Sequence, residues 1–590
     1  MTNLETLRAA MISRGLDGYL LPRTDEYQGE YVPACAERLA WLTGFTGSAG
    51  IAVVLSNKAV VMSDGRYEIQ LAQEVDPTLF ETADMFETPA AAWIQKNAPS
   101  GTKIGYDPLL FTPADLTPFA NVPVEMVPLD RNLVDDIWTD RPAPPCAPVS
   151  LFPEAIAGLT AAEKREMAAA TVREAAGTAF LLADPLSIMW LLNVRGGGIP
   201  YIPVALSRAV LHADGAVDWF VESQKLTPAV RESLGAAVAA REPDMLFNYL
   251  KTLGTESCLL FDPKRTPVRF LQIADKAGLR TKEAEDPCVL PRAIKTPAEQ
   301  TAIREAHIRD GVAMVRFLHW IATEAPKGHL TELDLVAKRE SFSRDDPAWR
   351  EPSFDTIAGW AENGAIIHYR VTPETNKRIL PPGLLLMDSG GQYCGEGVAG
   401  TTDITRTVAI GRPTDDMREN FTRVLQGHIA VASARFPASA TGPQIDALAR
   451  KSLWEAGRDY DHGTGHGVGC YLSVHEDAAG ITRREIMPFA PGMLLSNEPG
   501  FYKKGAYGIR IESLVQLRKD GKREDTETDM LAFDTVTLAP IDRSLIVKEM
   551  LSASELAWLN AYHARVCDIL SPRLDAASRL WLAGACAPIS

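Results

Sequence analysis

Apolar residues in the second half of the chain fall into short runs closed by acids. Leu384-Leu385-Leu386-Met387 runs into Asp388, and Pro491-Gly492-Met493-Leu494-Leu495 leads to Asn497 and Glu498. Short apolar runs bounded by turn signals read as buried strands. From Thr401 to Ile410 the pattern alternates, with Thr401, Asp403, Thr405 and Thr407 on one face and Thr402, Ile404, Arg406 and Val408 on the other. β-Branched residues dominate this stretch, which predicts a second strand. The glycine-rich segment 390–400 between them completes a hairpin. Such a hairpin sets Asp388 opposite Asp403 across an antiparallel ladder.

Helix starts mark the larger divisions. Thr160-Ala161-Ala162-Glu163, Thr296-Pro297-Ala298-Glu299 and Ser552-Ala553-Ser554-Glu555 have the form of capping boxes, the second with proline at the first helical position. A proline-rich linker, Arg141-Pro142-Ala143-Pro144-Pro145, precedes the first. These signals predict segments 1–150, 151–295 and 296–541, then a helical extension, 542–590. Leu39–Gly47 parallels Ile188–Gly196, and each follows a helix and a short apolar strand, Gly18–Leu21 and Ala179–Leu182. The first two segments are therefore expected to be mixed α/β domains of one fold, with Trp41 and Trp190 in their cores. Asp64-Gly65-Arg66-Tyr67 reads as a strand-end turn leading into a helix.

The hairpin has a second copy. Pro382-Gly383-Leu384-Leu385-Leu386 and Pro491-Gly492-Met493-Leu494-Leu495 are offset by 109 residues, and so are Asp403 and Glu512. Glu498 lies 110 after Asp388, with Asn497 in the matched place. The agreement of apolar and acidic positions implies an internal duplication in which each half contributes two carboxylates.

An ionised carboxylate buried without a partner is very costly. Four of them, with one imidazole, suit two divalent cations: the formal charges cancel, and the ions generate a hydroxide nucleophile near neutral pH. Asp388, Asp403, His466, Glu498 and Glu512 are the candidate ligands. His466 sits between glycines in His462-Gly463-Thr464-Gly465-His466-Gly467, so it is not part of a helical zinc motif. His368, His462 and His475 fall in the same region and are candidates for proton transfer and substrate contact. Oxygen-rich ligation favours manganese over thiolate-seeking metals, and leaves Zn2+, Co2+ and Fe2+ open.

These motifs, in this order, resemble the metallopeptidases of the pita-bread fold, in the long three-domain Xaa-Pro aminopeptidase branch of family M24. Ala365-Ile366-Ile367-His368-Tyr369, Asp388-Ser389-Gly390, Gly400–Thr407, His462–Gly469, Val474-His475-Glu476, Asn497-Glu498-Pro499-Gly500 and Gly508–Glu512 carry the likeness. Trp190–Gly196 resembles that branch's second domain, and Trp558–His563 its C-terminal extension. The resemblance implies two creatinase-like N-terminal α/β domains, a pita-bread catalytic domain (α+β) and a C-terminal helical extension. It implies two Mn2+ held by the five ligands, with Asp403 and Glu512 shared between them. His368 and His475 would face the scissile carbonyl, His462 would line a proline pocket, and Glu498 would take a proton from the attacking water. Arg406 and Arg510 would orient carboxylates. Expected partners are peptides with proline in second position and a second copy of the chain, as a homodimer. The separation of 15 residues between Asp388 and Asp403 exceeds the family pattern, and the extra residues fall at a turn, Cys394–Val398.

Within the fold, prolidase is the nearest rival. Creatinase lacks the full ligand set, and methionine aminopeptidase lacks the two leading domains. Non-catalytic peptide-binding relatives have lost ligands that this chain retains. The chain has 590 residues, net charge −16 and eight scattered cysteines. Such an acidic surface repels nucleic acid and anionic lipid, and scattered cysteines suit reduced thiols in a cytoplasm. Mean hydropathy is −0.07, and no run approaches the roughly 18 consecutive apolar residues of a membrane span. The opening residues lack a basic region followed by an apolar core, so no secretory leader is expected.

Overall fold

The computed structural model describes residues 2–520 and 528–590. It divides into two units, one of residues 1–154 with 159–289, the other of residues 155–158 with 290–590.

The first unit contains two six-stranded mixed sheets of one topology. In the first, Gly18–Pro22 lies between Ile51–Leu55, antiparallel, and Lys103–Tyr106, parallel; Ala59–Ser63 and Glu81–Asp84 extend one side and Glu125–Pro128 the other. In the second, Ala179–Leu182 takes the same central place between Arg208–His212 and Cys258–Phe261. Both central strands are almost wholly apolar and buried, as a strand covered on both faces must be. The helices Arg38–Thr43 and Pro185–Leu191 follow them. Trp190 is buried in the second, while Trp41 is half-buried and stacks on Trp138. The turn at Asp64 is as expected: Asp64 caps the 3-10 turn Gly65–Tyr67, which leads into helix Glu68–Glu74.

In the second unit the longer helices are α1 (Pro297–Glu324), α2 (Glu332–Arg344), α3 (Asp415–Ala432), α4 (Gly442–Trp454), α5 (Ala553–Leu570) and α6 (Ala576–Ala585). All three capping boxes form, at Thr160, Thr296 and Ser552, and Pro297 opens α1 where its missing N–H costs nothing. The strands are β1 (Trp349–Pro352), β2 (Ile357–Trp360), β3 (Gly383–Ser389), β4 (Gly391–Gly395), β5 (Val398–Thr401), β6 (Ile404–Ile410), β7 (Arg435–Pro437), β8 (Gly465–Gly467), β9 (Glu476–Ile481), β10 (Leu494–Asn497), β11 (Gly500–Lys503), β12 (Tyr507–Arg510), β13 (Ser513–Lys519) and β14 (Met530–Thr535).

The duplication is visible in these strands. In the first half β3 pairs with β6 and β4 with β5; in the second β10 pairs with β13 and β11 with β12. Strands β12 and β13 lie at an offset of 109 from β5 and β6, residue for residue.

One detail of the first hairpin differs from the sequence reading. Thr401–Ile410 is not one strand, because the ladder breaks at Thr402 and Asp403. Asp388 pairs with Thr405 and Ser389 with Ile404, so Asp403 lies just beyond the last pair instead of opposite Asp388. Gly390 permits this crossing: a Cβ there would stand 1.9 Å from the Thr402 carbonyl oxygen. The extra residues at Cys394–Val398 lie, as expected, at the turn that closes a hairpin. They belong to the ribbon β4–β5, whose Tyr393 and Val398 pack against Ala306 of α1.

Helix α5 of the C-terminal extension buries Leu559, Tyr562, Val566 and Leu570 in one cluster with Val424 and Leu425 of α3, Ile509 of β12 and Ile511 just after it. No disulfide joins the eight cysteines, and Cys35 and Cys470 are buried. Among the described residues no helix is long and apolar enough to cross a membrane.

Candidate active site

Each predicted ligand stands at or next to a break or an end of a ladder, where a side chain can leave the strand pairing and face a common space. Asp388 is next to last in β3, Asp403 lies between β5 and β6, Glu498 between β10 and β11, Glu512 between β12 and β13, and His466 is central in β8, where the register shifts before Gly467. One ligand atom each of Asp403, His466 and Glu512 lies within 4.8 Å of the others. His466 Nε2 is 3.5 Å from Asp403 Oδ2 and 3.5 Å from Glu498 Oε1. Asp388 joins them through Arg510, whose Nη2 donates to Asp388 Oδ2 at 2.6 Å.

The protonation pattern is that of a cation site. His466 Nδ1 is 2.9 Å from the Gly467 carbonyl oxygen, so that nitrogen carries the proton and Nε2 turns its lone pair toward the carboxylates. Asp388 Oδ1, Asp403 Oδ1 and Glu512 Oε1 are buried and have no hydrogen-bond partner among the described residues. Buried oxygens are rarely left so. Burial first, and then repulsion from neighbouring carboxylates, pushes Asp403 and Glu512 well above the usual carboxylate range. Divalent cations would satisfy the orphaned oxygens, the lone pair and the clustered negative charge together, so the donor set fits the expected metals.

The surrounding side chains hold this arrangement. Thr405 Oγ1 donates to Glu512 Oε2 at 2.8 Å, and Ser496 Oγ to Glu498 Oε1 at 3.2 Å. Arg510 also donates to Thr405 Oγ1, the Tyr502 hydroxyl and the Ile367 carbonyl. Tyr502 stands 2.8 Å from His462 Nε2, while His462 Nδ1 faces the Gly463 carbonyl at 2.7 Å. The imidazole is therefore protonated at Nδ1 and accepts from Tyr502. His462 Nδ1 is also 4.0 Å from Glu498 Oε2. His475 packs edge-on against His466, with ring centres 4.4 Å apart.

His368 is half-buried, between two anchors: Ile367, which accepts from Arg510, and Tyr369, whose hydroxyl donates to Glu332 Oε2. Arg406 differs from the sequence reading in its contacts. Its guanidinium donates to the backbone carbonyls of Thr405, Glu512, Ala539 and Pro540 and meets the Tyr562 hydroxyl, so it holds the ligand strands by their main chain.

Sequence reasoning missed Tyr502, Glu332 and the support behind His475. Glu332 accepts from the Trp360 and Lys377 amides and from Asn363 and Tyr369, pinning both ends of the segment that carries His368. Glu476, next to His475, forms a buried ion pair with Lys295. Tyr502 lies three residues beyond Pro499 of a recognised motif, which was the available signal. Glu332 and Lys295 are distant in sequence and gave none.

Comparison with known proteins decides the family. Residues 301–519 match the model of metallopeptidase family M24. Residues 3–135 and 140–299 each match a creatinase/prolidase N-terminal domain, and 529–589 the C-terminal region of the M24 peptidases. Aminopeptidase P2 of Arabidopsis thaliana is 36% identical over 96% of this chain and 85% of its own length. A probable Xaa-Pro aminopeptidase P of Aspergillus niger is 36% identical over 100% of this chain and 98% of its own. This chain belongs to metallopeptidase family M24. Among solved structures, the X-prolyl aminopeptidase of Caenorhabditis elegans, described as a cytosolic enzyme with a di-nuclear active site, superposes with a TM-score of 0.94 at 30% identity, covering 100% of this chain and 99% of that one. The M24 chain is a hydrolase of the aminopeptidase type, with two creatinase N-terminal domains ahead of its catalytic domain.

Proposed function

We propose that this M24 enzyme removes the N-terminal residue from peptides whose second residue is proline, using two divalent cations at Asp388, Asp403, His466, Glu498 and Glu512. The observation that carries the reading is the set of buried, unpartnered oxygens on Asp388, Asp403 and Glu512, with Asp403 and Glu512 gathered about His466. Full-length similarity to enzymes named for X-Pro cleavage supports the substrate class. The metals are taken as Mn2+, and the same donors accept Zn2+, Co2+ or Fe2+. When bound, the two cations supply a hydroxide nucleophile from a shared water and stabilise charge on the scissile carbonyl oxygen.

The side chains divide the remaining work. Glu498 accepts the proton of the attacking water, since it lies beside both His466 and His462. His475 and His368 face the carbonyl and assist proton movement to the leaving nitrogen. His462, held by Tyr502, lines the pocket for proline. A proline amide has no N–H to bind, so a shaped pocket suits it better than a backbone donor. Arg510 orients Asp388, and Arg406 steadies the backbone of Glu512. The division at residues 150, 295 and 541, a homodimer and a cytoplasmic location complete the reading; the described location of the Caenorhabditis elegans enzyme supports the last.

The test is to offer the Mn2+-loaded enzyme Arg-Pro-Pro and Gly-Pro. Release of arginine from the tripeptide is expected. Cleavage of the dipeptide alone would make the chain a prolidase, and failure to take up metal would make it a non-catalytic peptide binder.

A further inference from the structure

Between the two ladders of the second hairpin, the chain that carries both glutamates is thinly bonded to itself. Pairing of β10 with β13 ends at Asn497 and Ser513, and that of β11 with β12 begins at Gly500 and Arg510. A single 3.3 Å bond, from the Ile511 amide to the Pro499 carbonyl, crosses the interval between Glu498 and Glu512. In the first hairpin the corresponding crossing is tied more firmly, by the Thr402 amide to the Gly391 carbonyl at 2.9 Å and by the Gly391 amide to Thr402 Oγ1 at 2.9 Å.

Helix α3 closes this interval from behind. His428 is fully buried, and its Nδ1 lies 3.2 Å from the Asn497 carbonyl oxygen and 3.1 Å from that of Ile511. Both partners are acceptors, so Nδ1 carries the proton and donates to both. Each carbonyl belongs to the residue just before a candidate ligand, Glu498 or Glu512. Asn497 returns the contact, its Nδ2 donating to the His428 carbonyl at 2.9 Å. Thus Asn497, which occupies the place matched to Asp388, holds a helix where its counterpart is a candidate cation ligand. The outer edge of the imidazole is closed by Trp558 of α5, edge-to-face at 6.1 Å. Nε2 has no partner among the described residues, so the ring is held by its Nδ1 bonds and by packing.

We propose that His428 is a positioning residue of the metal site: its shared N–H fixes the separation of Glu498 and Glu512 and thereby the affinity for divalent cations. The inference rests on the five-ligand reading. It is tested on the full-length protein with His428→Leu, which keeps bulk but removes the donor, and His428→Asn, which offers an amide N–H near the position of Nδ1. Mn2+ is titrated against a chelating fluorophore, and the melting of each metal-free protein is recorded alongside. Loss of an outer partner of metal ligands commonly weakens metal binding by about 10–100-fold, and a loss in that range is expected for the leucine variant, with most of it recovered by asparagine. Wild-type affinity in a folded His428→Leu overturns the proposal, as does an asparagine variant no tighter than leucine. If the leucine variant does not fold, asparagine decides alone: near-native affinity supports the role, and a loss of about tenfold or more overturns it. Wild-type protein that takes up no Mn2+ overturns the five-ligand reading itself, which separates the two failures.

Discussion

Arg510 donates to Asp388 across 122 residues of sequence, at 2.6 Å and with both side chains buried. The bond links the two halves of the duplicated domain at the level of the metal ligands. The same guanidinium reaches Thr405, Tyr502 and the Ile367 carbonyl, a planar fork that one lysine ammonium does not reproduce. Arg510→Lys is therefore expected to lower Mn2+ affinity by about 10–100-fold, and to lower kcat/KM even at saturating metal, because Tyr502 and with it His462 lose their orientation. Metal titration followed by kinetics at excess Mn2+ checks both parts.

Glu512→Gln should separate stability from function. Glu512 and Asp403 are crowded, buried carboxylates: burial first, and then repulsion from neighbouring acids (Asp388 and Glu498 on Asp403; Asp403, Glu498 and Asp388 on Glu512), holds both well above the usual range. Without metal, removing one of these charges relieves repulsion, so the metal-free variant should melt above the metal-free wild type. Added Mn2+ should raise the wild-type Tm by mass action and leave the variant nearly unmoved and inactive. Calorimetry with and without chelator reads both effects. A metal-free variant that melts below the wild type would contradict the charge argument.

Much of this site was legible before any coordinates. Repetition of the Pro-Gly-Leu run and of Asp403 as Glu512 located both hairpins, and strands β12 and β13 keep the offset throughout. The break at Thr402 and Asp403 was not legible. An uninterrupted alternation of β-branched residues hides a chain that crosses between two ladders, and the signal for the crossing is one glycine, Gly390, among several in the segment. The supporting contacts were hidden for another reason. His428, Glu332 and Tyr562 sit on helices whose local pattern is satisfied by burial alone. Their side-chain hydrogen-bond partners lie 23 or more residues away, and local periodicity holds no record of such pairings.

The C-terminal extension should prove necessary to the catalytic unit. The Tyr562 hydroxyl meets Arg406 Nη2 at 3.0 Å and donates to the carbonyls of the Thr537–Ala539 segment. Arg406 in turn holds the Thr405 and Glu512 backbones. Tyr562→Phe leaves the ring stacked on Trp558 and removes only the hydroxyl, so a loss of about 1–3 kcal/mol is expected for a buried hydrogen-bonding partner. Urea unfolding measures it. A neutral substitution would mean that the remaining partners of Arg406 satisfy it without the hydroxyl.

His563, the next residue on α5, gives a pH signature independent of the metal ligands. Its Nε2 accepts from the Ile541 amide at 3.1 Å. Burial first, and then the nearby Arg406 and Arg543 charges, push its pKa down to about 4. The unfolded chain takes up this proton near pH 6.5 and the folded chain does so only near 4, so the unfolded state binds more protons between these values. The contribution to stability is complete above about pH 6.5 and is lost as pH falls toward 4, by about 1.4 kcal/mol per pH unit. His563→Gln keeps an acceptor near Nε2 and removes the titration. The two carboxylates at the metal site act in the opposite sense in metal-free protein, since their raised pKa values favour the folded state at low pH. The informative quantity is therefore the difference in slope between variant and wild type, measured by chemical unfolding at pH 7, 6 and 5 under one metal condition. The variant should lose less stability on acidification than the wild type, and equal slopes would show that His563 takes up its proton alike in both states.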